Sequence, residues 1–173
     1  MAAGYAELCC RSNFSFLEGA SHPQELVRRA HELGYAALAL TDRCTLAGVV
    51  RAHEESKALG LHLIIGSELE LESGSRLLAL AMDRTGYGNL SQLITRARRR
   101  APKGSYRLLD SDLDDELPHC LALWLPDGGL QPADAAAQGL RLKERFRDRL
   151  WIGTALHRRG RDCAWLARLQ GLG

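Results

Sequence analysis

Glu7, Cys9, Cys10, Ser12, Asn13 and Glu18 concentrate carboxylates, thiols and polar turn residues in one stretch, Glu7-Leu8-Cys9-Cys10-Arg11-Ser12-Asn13-Phe14-Ser15-Phe16-Leu17-Glu18-Gly19-Ala20-Ser21. Groups of these types can ligate a metal or move a proton, and the pattern reads as a short strand, a polar turn and a helix start. In an alternating β/α chain the carboxyl end of a strand is where chemistry is usually done. Thr41-Asp42-Arg43-Cys44 and Gly66-Ser67-Glu68 bring further polar groups to two later strand ends. Ser12 and Ser15 carry hydroxyls but have no suitably spaced His-Asp arrangement, so turn hydrogen bonding is expected of them. There is no phosphate-cradling P-loop and no GxGxxG.

The elements that must position these groups follow from periodicity. Ser21-His22-Pro23-Gln24 opens a helix with a capping-box spacing, Leu26, Val27, Ala30 and Leu33 form its apolar stripe, and Gly34 supplies a left-handed cap. Tyr35 to Thr41 is an almost continuous apolar run, expected as a buried parallel strand. A second helix is expected from Cys44 or Thr45 to about Leu59, and a third strand over His62 to Ile65. Leu69 to Glu72 and Arg76 to Met82 read as a hairpin. Gly86-Tyr87-Gly88-Asn89 is expected to punctuate the chain before a helix from Leu90 to about Arg100. After an irregular excursion, strands at His119–Leu125 and Leu150–Leu156 alternate with helices at Ala133–Phe146 and Asp162–Gln170. The alternation demands a mostly parallel α/β sheet, open or closed into a barrel, with one more strand owed after the last helix.

The 173 residues suit one domain, and 46% hydrophobic content supports a sizeable core. A net charge of +2 gives no global attraction to nucleic acid or to a membrane surface. Five cysteines without regular spacing argue against a disulfide scaffold and for a reducing, cytoplasmic setting. No signal peptide is visible at Met1-Ala-Ala-Gly-Tyr5, and no apolar run is long enough to span a membrane.

Several ordered segments carry a family resemblance. They are Tyr5-Ala-Glu-Leu8 with Ser12 to Leu26, Ala39-Leu40-Thr41-Asp42-x-Cys44-x-Leu46 to His53, Gly66-Ser67-Glu68, and Thr85-Gly86-Tyr87-Gly88-Asn89-Leu90. Together they resemble the amino-terminal PHP (polymerase and histidinol phosphatase) domain of bacterial error-prone C-family DNA polymerases. The resemblance implies a PHP-type distorted (β/α)7 barrel over residues 1–173, truncated before its last strand, with the polymerase core lying downstream. It also implies a site of metal ligands at the strand ends. The expected His-x-His pair falls on Cys9 and Arg11, a later acidic position on Glu18, and the Thr-Asp-His position on Thr41, Asp42 and Arg43. The bridging carboxylate falls on Glu68, and a further histidine position on Arg76.

Arginine cannot ligate a metal, because its guanidinium stays protonated and has no lone pair to offer. A degenerate site is therefore expected, with no metal and no catalytic residue in this fragment. Its arginines would pair bidentately with Asp42, Glu68 and Glu18. Cys9 is a residual thiolate ligand or, preferably, a small buried hydrophobe, and Cys44, Cys120 and Cys163 are expected in the core. His22, His31 and His53 suit packing or solvent, and His157, which ends a strand, is the most eligible remaining histidine. The basic run Arg96, Arg98, Arg99, Arg100 and Lys103 contacts a phosphate backbone or another domain, or is a charged helix end shielded by Asp110 to Glu116.

The resemblance further implies Mg2+ for the parent polymerase and DNA as its substrate through that parent. It implies mutasome proteins and a sliding clamp as partners, in DNA repair and replication past damage. A free-standing metal-dependent PHP phosphoesterase and a detached interaction module are the alternatives.

Overall fold

The computed structural model describes residues 4–114, 117–154 and 162–171. Among the described residues, six strands form one sheet in the order β1-β2-β3-β4-β5-β6, the sequential order of a barrel wall and not the reversed order of a doubly wound sheet. β1 (Ala6–Cys10), β2 (Ala37–Leu40) and β3 (His62–Glu70) run parallel; β4 (Arg76–Ala81) is antiparallel to both its neighbours; β5 (Cys120–Trp124) and β6 (Leu150–Ile152) are parallel again. Among the described residues, the sheet is open at β1 and β6.

The connecting helices cover one face. α1 (Pro23–Glu32) and α2 (Val49–Leu59) pack Val27, Ala30, Val49 and Ala52 on Leu38 and Leu40 of β2. α3 (Arg84–Arg99) lays Leu90, Leu93 and Ala97 on Leu69, Leu77 and Ala79, and α4 (Pro132–Phe146) brings Leu142 and Phe146 to the same core. α5 (Asp162–Gln170) follows. The opposite, inner face is a smaller apolar layer of Ala39, Leu78 and Leu80 with Ile64, Leu121 and Leu123. Period-two alternation along β3 and β4 places Glu68, Glu70 and Arg76 on that inner face, above this layer.

Several expected boundaries move. α1 is capped by His22, one residue later than expected, and Glu25, not Gln24, accepts the His22 N–H at 2.7 Å. α2 begins at Val49, and Cys44, expected to open it, takes a positive φ of 48° that no helix accommodates. His62–Ile65 and Leu69–Glu72 are one continuous strand, β3, whose first half pairs with β2 and whose second half pairs with β4. α3 begins at Arg84, so Gly86 and Gly88 lie inside it. Asp83 caps it by accepting the Gly86 N–H at 2.9 Å. A Cβ on Gly86 would collide with the carbonyl of His119, so close packing against the approach to β5 explains that glycine. Residues 155 and 156, the expected end of β6, and His157 lie outside the described residues.

Cys44 and Cys120 are buried, but Cys163 is exposed on α5 and Cys9 is exposed on the edge strand β1, contrary to their expected core positions. Burial pushes both the Cys44 and Cys120 thiols up to about 11, and the half-buried Cys10 up to about 12. The Cys9 thiol is also raised, first by desolvation among its neighbours and then by the Glu68 charge. Iodoacetamide near pH 8, mapped by mass spectrometry, is therefore expected to label Cys163 first and Cys9 more slowly. Cys44 and Cys120 should react only once denaturant is added; their labelling in the native protein would contradict this packing.

Candidate functional site: a charged lattice at the strand ends

The site is assembled by backbone pairing that outlasts β2. The Glu68 N–H donates to the Asp42 carbonyl at 3.2 Å and the Cys44 N–H to the Glu68 carbonyl at 2.8 Å, so Asp42 and Arg43 are held beside Glu68. The strained turn at Cys44 is fixed from α3. Arg98 donates through Nε to the Cys44 carbonyl (3.1 Å) and through Nη2 to that of Arg43 (3.3 Å). Arg98 also stacks over the Tyr106 ring at 5.3 Å.

Asp42 is 1% exposed, yet among the described residues no arginine pairs with it. Its carboxylate accepts the Ser12 N–H (2.8 Å), the Ser12 hydroxyl (2.7 Å) and the Ser15 hydroxyl (2.7 Å). Three donors satisfy the buried charge without a cation. The expected Asp42–arginine pair is thus corrected: Asp42 shapes the loop over residues 12–19, and that loop delivers Glu18.

Glu68, 1% exposed, is the centre of the lattice. Arg11 donates to its Oε2 from Nε at 2.8 Å and from Nη2, and to Glu18 Oε2 from Nη1 at 2.8 Å. Arg43 donates from Nη1 to Glu18 Oε1 at 2.6 Å, from Nη2 to Glu70, and from Nε to the Tyr106 hydroxyl at 3.5 Å. Arg76 approaches Glu68 Oε1 at 3.9 Å. The guanidiniums are shared between carboxylates, and Arg11 sets two donors on a single Glu68 oxygen, so the pairing is not the fork-on-fork geometry expected. Burial opposes the Arg11 cation, but the hydrogen bond to Glu68 and the Glu68 and Glu18 charges outweigh it and raise its pKa. For Arg43 the Tyr106 and Glu18 hydrogen bonds do the same.

Among the described residues, Arg11, Arg43 and Arg76 face Glu18, Glu68 and Glu70, so the charges balance within the cluster. Glu70 and Tyr106 are site residues that sequence reasoning did not single out. Glu70 was signalled by the Glu68-x-Glu70 alternation, which puts both carboxylates on one strand face. Tyr106 had no such signal, since it lies in a stretch without periodicity.

The basic run divides. Arg98 turns inward as described. Arg100 holds Asp112 through Nη1 (2.5 Å) and Nη2 (3.0 Å), and Arg96 lies 3.7 Å from Asp112. Arg99 and Lys103 are exposed. The Arg100 hydrogen bond holds the Asp112 carboxyl below its ordinary value, assisted by the Leu109 N–H at 2.8 Å. A depressed carboxyl stabilises the fold above its unfolded value, about 3.9, and loses that contribution as pH falls through the folded value. Asp112→Asn should therefore lower the urea midpoint at neutral pH, with the gap to the parent protein closing below about pH 4. A gap independent of pH would contradict this.

The PHP domain family model matches residues 7–123. The chain belongs to the PHP domain family. This PHP domain is 56% identical over 172 residues to an error-prone DNA polymerase of Methylococcus capsulatus, covering 99% of this chain and 16% of that one. It is 55% identical over 174 residues to an error-prone DNA polymerase of Dechloromonas aromatica, covering 98% and 17%. A third relative, an error-prone DNA polymerase of Pseudomonas fluorescens, is 55% identical over 155 residues, covering 90% and 15%. The chain thus spans about a sixth of the length of these curated relatives.

The metal cluster that the family resemblance implies does not suit the donors of this PHP domain. The guanidiniums of Arg11 and Arg43 already occupy the space between Glu18, Glu68 and Glu70. Divalent cations there would meet fixed positive charge at contact distance. Among the described residues, no three His, Cys, Asp or Glu side chains converge to hold an ion. No helix of the described residues is long and apolar enough to cross a membrane.

Proposed function

We propose that residues 1–173 are the PHP domain of an error-prone DNA polymerase, and that its ancestral hydrolytic site has become a metal-free ionic clamp. The single observation that carries this reading is the seating of Arg11 and Arg43 among Glu18, Glu68 and Glu70. The clamp ties the β1 loop, the β2 end and β3 into one rigid unit, which serves as a scaffold for the polymerase core of the same chain. Nucleotidyl transfer to a primer, with Mg2+ supplied at carboxylates outside this segment, belongs to that core. The whole protein would act in the cytoplasm in DNA repair and replication past lesions, with mutasome proteins and a sliding clamp as partners.

The test uses the full-length chain. Primer extension from deoxynucleoside triphosphates with Mg2+ is expected. No hydrolysis of p-nitrophenyl phosphate or of DNA 3′-phosphates is expected when manganese is added. Hydrolysis that disappears in Glu68→Gln would overturn the clamp and favour a PHP phosphoesterase; absence of primer extension would overturn the polymerase assignment.

A further inference from the structure

Phe16 and Leu17 are adjacent, 84% and 90% exposed, at the tip of the loop over residues 12–19. The loop that carries them is not slack. Its root is held by the three bonds to Asp42, and its base is closed by the Asn13 N–H on the Ser21 carbonyl at 2.8 Å. The Glu18 and Gly19 N–H groups both donate to the Ser15 carbonyl at 2.9 Å, and Glu18 is tied to Arg11 and Arg43. Leu17 takes a φ of 63°, a region that leucine rarely adopts. A Cβ on Gly19 would collide with the Ser12 carbonyl, so the loop's crossing requires glycine there. A rigid loop that accepts a left-handed leucine and leaves two large apolar side chains in water has the form of a preorganised anchor. Phe14 flanks it, and Phe14 and Phe16 help line a groove of about 760 Å³ together with Glu70, Tyr106 and Leu108.

We propose that Phe16 and Leu17 dock into an apolar pocket of the polypeptide outside residues 1–173, fixing this domain on the rest of the polymerase; the proposal rests on the polymerase reading above. Two side chains bury far less than the roughly 1,000 Å² that a stable complex of separate proteins needs. They suffice for a partner tethered in the same chain, where the effective concentration is high. The relatives carry about five-sixths of their length beyond the matched segment, which supplies such a partner. A membrane surface is disfavoured because Arg11, Arg43 and Arg107 are paired with carboxylates, and Arg51, over the Phe14 ring at 5.9 Å, falls short of the cluster of basic residues that recruits anionic headgroups.

The experiment places photoreactive p-benzoylphenylalanine at position 16 of the full-length protein. The expected product is an intramolecular crosslink to a peptide outside residues 1–173, in a yield independent of protein concentration. Crosslinks confined to residues 1–173, crosslinked dimers, transfer to phosphatidylserine vesicles, or no crosslink would each overturn the proposal. In the F16S/L17S full-length variant, protease cleavage at the junction following Gly173 should rise about tenfold or more, because two anchors are lost. Cys44 and Cys120 should stay protected from iodoacetamide, showing that the domain itself remains folded; unchanged cleavage would overturn the anchor. A gene ending near Gly173 would remove both readings, whereas a chain that crosslinks as expected but extends no primer would remove only the polymerase reading.

Discussion

Asp42→Ala is expected to destabilise the protein by about 3–5 kcal/mol, the largest effect of any single substitution at the site. The carboxylate is 1% exposed and accepts from Ser12 N–H, Ser12 Oγ and Ser15 Oγ. Removing it leaves three donors in a buried place, each unpaired group costing about 1–3 kcal/mol before local relaxation and entering water reduce the sum. For a chain of this length the thermal midpoint should fall by about 10 °C. The loop over residues 12–19 should then become the first site of proteolysis, since its root is gone. Asp42→Asn should cost less, because the amide oxygen can still accept the Ser12 N–H and a serine hydroxyl can rotate to accept from the amide nitrogen. Equal losses for Ala and Asn would show that a cation, and not hydroxyl pairing, compensates this charge.

Glu68→Gln is the second large effect, about 2–4 kcal/mol. Glu68 is the buried partner of Arg11, whose side chain is 30% exposed, and of Arg76, whose side chain is 38% exposed. Water therefore screens part of the loss, which places the expectation below the cost of breaking a fully buried pair. The glutamine leaves Arg11 with Glu18 as its remaining carboxylate. Adding Arg11→Met to Glu68→Leu should recover much of the stability in urea unfolding, because a buried ion pair replaced by apolar groups of similar volume is often neutral. If the double variant is no better than the sum of its single changes, Arg11 and Glu68 are not coupled as described.

The parallel run at Ala37–Leu40 and the helical stripe of Val27 and Ala30 were legible because periodicity and burial agree there. α3 is longer than its sequence signal suggests because Gly86 and Gly88 read as breakers, whereas the approach to β5 demands a residue without Cβ at Gly86. Tertiary packing overrode propensity, and no local pattern could announce it. At the site, the replacement of ligands by Arg11, Arg43 and Arg76 was visible in residue types alone. The distribution of charge was not: Asp42 takes serines where arginine was expected, and Glu70 takes part of Arg43. Arg98 reads as a solvent-facing cation in a basic run. Its inward role depends on the left-handed turn at Cys44, a backbone feature that a cysteine gives no reason to expect.

The most direct measurement of the central claim is the metal content of the full-length protein, purified with manganese and zinc present and then dialysed. An ionic clamp predicts manganese and zinc far below one ion per chain, unchanged by Glu68→Gln, since Arg11 and Arg43 already satisfy the carboxylates at this site. One or more ions retained per chain, and lost in Glu68→Gln, would contradict it.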